Sequence, residues 1–207
     1  ALAFGLPFGG SVILPEAISN RPAVMHEAQR RKLTLIPVAE NKNLPHPLSI
    51  NVPLALEACT RCFLDKNVCF NAMMSLPPDI ADSSVIKVGM GALAFAFSVN
   101  DTESTEEYFA SLGWARKDTV LLYNHRHDRV DRLASFSPWF DLEWREKYII
   151  GDSPLYGRMS DFYLKLKDIK ELACFIDKKE RVFGCGNAVY GLPLKLKLAL
   201  EKGRNVL

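Results

Sequence analysis

The 207-residue chain is 48% apolar and 24% charged. That is enough apolar material for a real core and excludes a disordered chain. No apolar run approaches the ~20 residues that cross a bilayer, so no membrane span is expected. The net charge is only +2, but it divides unevenly, at −3 over residues 1–115 and +5 over residues 116–207, a balance that favours RNA or an acidic surface as partner for the second half over the first.

The apolar start lacks the basic stretch that opens a signal peptide. Five cysteines, an odd number in a chain this long, do not describe a disulfide scaffold; they point to reduced thiols and a cytoplasmic setting.

From the N-terminus, residues 1–50 are broken by Pro7, Pro15, Pro22, Pro37, Pro45 and Pro47. The segment reads as an extended arm that wraps a neighbour, or as short edge strands and loops; KLTLIPV at 32–38 is its best strand, demoted to an edge by Pro37. Residues 51–207 are expected to form a single α+β domain. A helix is predicted from an Asn51 cap, with Pro53 in its first turn and apolar residues at helical spacing through Phe63. Pro77-Pro78 closes the element that follows. Residues 84–99 read as strand, with Gly89 and Gly91 marking a bend or bulge. A capping box, Ser104 with Glu107, opens a short helix that ends at Gly113. TVLLY at 119–123 is strand. Residues 138–149 suit a helix, as does the later part of 160–176 with Leu172 and Ile176 on one face. LPLKLKLAL at 192–200 fits strand or helix by spacing and helix by intrinsic preference. The expected fold class is α+β, with a small mixed or antiparallel sheet built from 32–38, 85–99 and 119–123 and helices packed against it.

The sharpest polar cluster is NHRHDRVDR at 124–132, directly after the TVLLY strand. Alternate strand residues share a face, so His125 and His127 can act together as metal ligands. Asp128 or Asp131 would add a carboxylate and leave a position open for water. The run resembles in part the His-x-His-x-Asp-His motif of metallo-β-lactamase-type hydrolases. It departs from it in the placement of Asp128 and in Arg129, which stands where the last histidine would be. Only His26 and His46 remain as further imidazole donors. The same stretch carries Arg126, Arg129 and Arg132, whose forks suit phosphate, followed by aromatics that can stack on bases. The alternative to both readings is a solvated loop of Asp–Arg pairs.

Cys59-x-x-Cys62 with Cys69 lacks a fourth ligand and a strand before it, so buried structural cysteines are expected. Gly184-x-Gly186 with Gly191 is similar to a dinucleotide-binding opening, but its glycine spacing is wrong, and a glycine turn before a terminal helix is the plainer reading. No phosphate-binding loop, nucleophile elbow or zinc-peptidase motif is present, and no cofactor is expected.

These features favour a non-enzymatic structural or assembly subunit, of the viral coat, matrix or nucleocapsid kind or an accessory subunit of a large complex. Self-association would use the N-terminal segment and the aromatic stretch Phe136–Tyr156. The alternatives are a metal-dependent hydrolase or nuclease using His125, His127 and Asp128, and an RNA-binding module using Arg126, Arg129 and Arg132.

Overall fold

The structure is a computed structural model that describes residues 7–44, 48–76, 79, 82–99, 101–154, 157–188 and 191–207. His46, the Pro77-Pro78 pair and Tyr156, all singled out in the sequence, lie outside the described residues. Contacts divide the chain into two compact units, residues 1–77 and 78–207.

In the first unit, β1 (Ser11–Pro15) and β2 (Thr34–Val38) pair in parallel. The short α1 (Glu16–Ser19) and α2 (Pro22–Arg30) connect them. Neither helix is apparent from the Pro-rich sequence. Pro22 occupies the first turn of α2, where a missing N–H costs nothing. Leu14 and Val24 form a small core. Glu27 of α2 accepts from Arg30 and Arg31, and these two bonds hold its carboxyl down at about 2.

Helix α3 spans Leu48–Arg61 and α4 spans Lys66–Ser75. Pro53 therefore lies inside α3 rather than in its first turn. Lacking an N–H, Pro53 leaves the Ser49 carbonyl without its helical partner, and that carbonyl accepts from the Asn41 amide at 2.9 Å instead. Asp65 caps α4 through the Val68 amide.

The second unit is built on a five-stranded mixed sheet in the order β3-β4-β7-β5-β6. Strands β3 (Ser84–Val88) and β4 (Gly91–Phe95) form an antiparallel hairpin. Strands β5 (Val120–His125), β6 (Glu146–Gly151) and β7 (Arg181–Gly186) join it by parallel pairing throughout. The α+β class with a mixed sheet and packed helices is thus observed. The 34–38 strand belongs to the separate two-stranded sheet, and β6 and β7 complete the larger one.

Helices cover both faces, as parallel strands require. One face packs Leu93, Phe95, Leu122, Ile150 and Val182 against Leu172 and Ile176 of α7 (Ile169–Asp177) and Leu196 of α8 (Leu192–Glu201). The other packs Leu121, Tyr123, Ile149 and Phe183 against Phe109 of α5 (Thr102–Ser111), Phe136 of α6 (Val130–Phe136), and Trp139, Phe140 and Trp144. The aromatic stretch expected to be a partner surface is therefore core: Phe136, Trp139, Phe140 and Trp144 are all buried. Trp144 donates its indole N–H to the Trp139 carbonyl at 2.9 Å. Residues 137–141 form a tight 3₁₀ turn and 146–151 a strand, in place of the predicted helix over 138–149.

The helix cap near 104 also differs. Asp101, not Ser104, is the cap residue, and its carboxylate accepts from the Ser104 amide. The helices expected in the later part of 160–176 and over 192–200 are present as α7 and α8. Lys197 of α8, on the Leu/Lys stretch, is unexpectedly buried. Its amine donates to the Asp82 carbonyl at 2.7 Å, lies 4.7 Å from the Phe95 ring centroid, and has its pKa lowered by desolvation. No helix among the described residues is long and apolar enough to cross a membrane.

Candidate functional site

The topology marks one place on the large sheet. The chain leaves β5 for α6 on one face and leaves the neighbouring β7 for α8 on the opposite face. Where adjacent parallel strands send their connections to opposite faces, the loops part and a crevice opens at the carboxyl ends. Such a crevice is present, with a volume of about 320 Å³, lined by Asn124, His125, Arg126, His127, Asp128, Gly151, Asp152 and Gly191. A concavity of about 350 Å³ in the first unit, between Val38, Val52, Leu56, Glu57, Lys66 and Phe70, is not placed by any such rule.

The floor of the crevice is the buried Asn124. It donates to the Asn187 carbonyl, while Asn187 donates to the Asn124 carbonyl through its side chain and its backbone amide, both at 3.1 Å. Three glycines close around it. A Cβ at Gly151 would lie 2.6 Å from the Asn124 side-chain oxygen, one at Gly186 would lie 2.7 Å from the Asn124 carbonyl, and one at Gly191 would lie 2.3 Å from the Asn124 side-chain nitrogen. Gly186 and Gly191 are thus packing devices, and Gly191 directly precedes α8. Arg132 of α6 reaches back to the same corner, donating to the Gly186 carbonyl at 3.0 Å and to Asn187 Oδ1 at 2.9 Å.

The predicted metal ligands are brought to one crevice but not to one point. His127 donates its backbone N–H to Asp152 Oδ2 at 2.8 Å, and its Nδ1 lies 2.8 Å from the same oxygen. These two bonds hold the Asp152 carboxyl below its usual range. Asp128 is forked by Arg126 at 3.0 and 2.7 Å, which lowers its pKa in the same way. His125 is buried at the end of β5, with no hydrogen-bond partner on Nδ1 among the described residues. Among the described residues no three His, Cys, Asp or Glu side chains are grouped to hold a metal ion. The three arginines also separate: Arg126 pairs with Asp128, Arg132 turns inward to β7, and Arg129 is exposed just before α6. Asp152 and Asn187 are the site residues that sequence reasoning missed, and the Gly-Asp that ends the apolar YII run of β6 was the available signal for the first; Gly191, read from the sequence as part of a glycine turn, lines the crevice.

Burial lowers the pKa of His125 from 6.5, the largest cause; the nearby Asp152 charge opposes the shift and His127 adds to it. A base whose pKa falls on folding is protonated more readily in the unfolded chain. Its contribution is therefore intact above about 6.5 and is lost as pH falls below that value. Asp152 and Asp128, also lowered, act in the same sense at lower pH, below about 4. Urea midpoints are expected to fall between about pH 7.5 and pH 5.5, and His125→Asn should flatten that part of the curve without changing the loss below pH 4.

The family match with known proteins falls on this unit, and the similarity to single relatives extends beyond it. Residues 85–203 match the family described as the poly-gamma-glutamate synthase CapB C-terminal domain. The chain belongs to that family. The PGA synthase CapB of Bacillus subtilis (strain 168) is 22% identical over 168 residues, 72% of this chain and 42% of the relative. The chain thus spans less than half the length of that CapB relative. The fold is similar to that of a UDP-N-acetylmuramoylalanyl-D-glutamyl-2,6-diaminopimelate--D-alanyl-D-alanyl ligase from Acinetobacter baumannii, with a TM-score of 0.55 at 9% identity over 95% of this chain and 52% of that one. It is also similar to a folylpolyglutamate synthase from Thermotoga maritima, with a TM-score of 0.50 at 10% identity over 88% of this chain and 52% of that one.

Membership of the CapB family overturns the expectation of a structural, viral or assembly subunit, together with the RNA-binding and hydrolase or nuclease alternatives. The physical reason is that the crevice is assembled from the separate ends of β5, β6 and β7, at His125, Gly151 and Gly186, so no single run in the sequence spells it out. Of the stretches taken for partner surfaces, the aromatic residues Phe136, Trp139, Phe140 and Trp144 fill one face of the large sheet, and the N-terminal segment builds the small core of the first unit.

Proposed function

We propose that this chain is part of a ligase that joins glutamyl units through amide bonds, and that the crevice at the ends of β5, β6 and β7 holds its carboxylate-rich substrate. The observation that carries this reading is the coincidence of the family match with a crevice whose rim bears Arg126, His127 and, just beyond, Arg129. Polyglutamate presents a row of carboxylates, and guanidinium groups are its natural partners. Arg126 sits pre-aimed by Asp128, so an incoming carboxylate can share or take over its fork. The rigid Asn124–Asn187–Arg132 corner beneath the crevice fixes the loops that carry these groups.

The test is titration of the 207-residue chain with γ-linked oligoglutamate, followed by amide chemical shifts. Shifts should concentrate at 124–128, 151–152 and 191, and affinity should fall with added salt. Arg126→Ala should weaken binding about tenfold, the loss of one charge-assisted contact. Binding centred elsewhere, or none at low salt, would refute the assignment.

A further inference from the structure

Two patterns of the sequence have no place in the crevice itself. The cysteines at 59–69 are one: Cys59 and Cys69 are half-buried, Cys62 is exposed, and they are not the buried set expected. The other is the tetrad LKLK, present at 164–167 and again at 194–197.

The two copies of the tetrad fold differently. The second lies in α8 and buries Lys197. The first is anchored on β6. Tyr163 makes a parallel bridge to Ile149, and the Leu164 amide donates to the Ile149 carbonyl at 2.8 Å. The Tyr163 hydroxyl donates to the Gly151 carbonyl at 3.2 Å, and Gly151 lines the crevice. The segment thus takes the place beyond β6, two strand spacings or roughly 10 Å from β5. Running parallel to β6, it carries the chain to the carboxyl end of the sheet, where the crevice opens and where α7 starts its return towards β7. Leu164 and Leu166 are half-buried against the core, while Lys165 and Lys167 are exposed. That alternation, the period of an extended run, puts both lysines on the outward side of the rim.

The acids that follow them are engaged by backbone donors. Asp168 accepts from the Lys170 and Glu171 amides at 2.9 and 3.0 Å, and Glu171 accepts from the Lys167 amide at 2.8 Å. Lys167 Nζ lies 3.9 Å from the other Glu171 oxygen, an exposed pair that a competing carboxylate displaces at little cost.

We propose that Lys165 and Lys167 form an outer subsite of the crevice, holding α-carboxylates of a γ-linked polyglutamate chain whose end occupies the crevice. This rests on the ligase reading above and adds to it a preference for longer chains. The γ-linkage leaves an α-carboxylate free on every unit, so a chain that leaves the crevice past Gly151 brings a regular row of anions to the two lysines. Their contacts add to those of the crevice, because the bound end holds the rest of the chain close.

The 207-residue chain is titrated at low salt with γ-linked oligoglutamates of two and of eight units, and the ratio of the two affinities is the readout. The longer chain should bind about tenfold more tightly, the combined effect of two exposed charge contacts. In the double variant Lys165→Gln/Lys167→Gln the ratio should fall close to one. Lys178→Gln/Lys202→Gln removes the same charge from the far ends of α7 and α8 and should keep the ratio, which separates a local contact from net charge. Arg126→Ala should weaken both oligomers and also keep the ratio. A ratio near one in the unaltered chain, or a tenfold ratio that survives in the Lys165/Lys167 variant, would overturn the subsite while leaving the crevice reading in place. Failure of both oligomers to bind would overturn the two together. Urea midpoints of the variants, expected to match the parent because all four lysines are exposed, exclude misfolding as the cause.

Discussion

Phe183→Ala should destabilise the second unit by about 3–5 kcal/mol, the range for deleting a fully buried aromatic ring. Phe183 sits on β7, the strand flanked by β4 and β5, and is fully buried. Its ring meets Phe109 edge-on at 5.0 Å and stacks near Trp144 at 6.1 Å and Trp139 at 6.0 Å. Alanine would leave a cavity walled by large rings on a sheet that cannot collapse into it, because β4 and β5 fix its spacing on both sides. Urea unfolding followed by tryptophan fluorescence measures the loss and reports on two of the rings that line the gap. Phe183→Leu, which keeps most of the volume, should cost less than half as much. Equal losses for the two variants would show that the ring contacts, rather than volume, dominate.

Gly91→Ala is the second large effect, expected at about 3 kcal/mol or somewhat more. Gly91 opens β4, where it pairs with Val88. A Cβ there would lie 2.1 Å from the Ile176 carbonyl oxygen and 2.3 Å from that of Lys179. Both obstacles are backbone at the end of α7, and the Ala92 amide bonds the Glu180 carbonyl at 3.1 Å just beside them. Relief requires moving α7 away from the β4–β7 seam. The informative control is Gly113→Ala. Gly113 has φ of +64° with nothing near its Cβ position, so it should lose only the roughly 1 kcal/mol of left-handed strain. Denaturation midpoints of the two variants, compared in parallel, separate crowding from backbone strain. A Gly91 variant no weaker than the Gly113 variant would mean that the seam yields.

What could be read in the sequence follows the range of the forces involved. The strand at 119–123, the hairpin region at 84–99 and the helices ending the chain are local patterns of apolar spacing and glycine. They appear where expected because a one-sided or two-sided burial pattern is written residue by residue. The terminal LPLKLKLAL run resolved as helix because Leu and Lys favour it and a glycine starts it. In the Pro-rich first segment the same logic failed. Proline is neutral in a helix's first turn, so α2 starts on Pro22, and α3 carries Pro53 inside because the Asn41 amide takes up the Ser49 carbonyl that the proline leaves unpaired.

The candidate site was half legible. The 124–132 run stood out as polar residues following a buried strand, and it does line the crevice. Its chemistry was misread because its partners lie far along the chain. Asp152 claims His127, Gly186 and Asn187 claim Arg132, and three glycines seal Asn124 in place. With those partners hidden, two histidines and an aspartate looked like ligands, and three arginines looked like a phosphate comb. The aromatic stretch at 136–144 gave no sign of which surface it met.

By itself the sequence determined that the chain has a real core, that it mixes strands with helices, and that its densest polar cluster follows a strand. Those properties are set by composition and by periodicities two to four residues long. Only the tertiary structure decided that β7 inserts between β4 and β5, and that the connections from β5 and β7 depart to opposite faces. That order opens the crevice and selects its lining. It is fixed by packing between segments up to about a hundred residues apart, which no local pattern encodes.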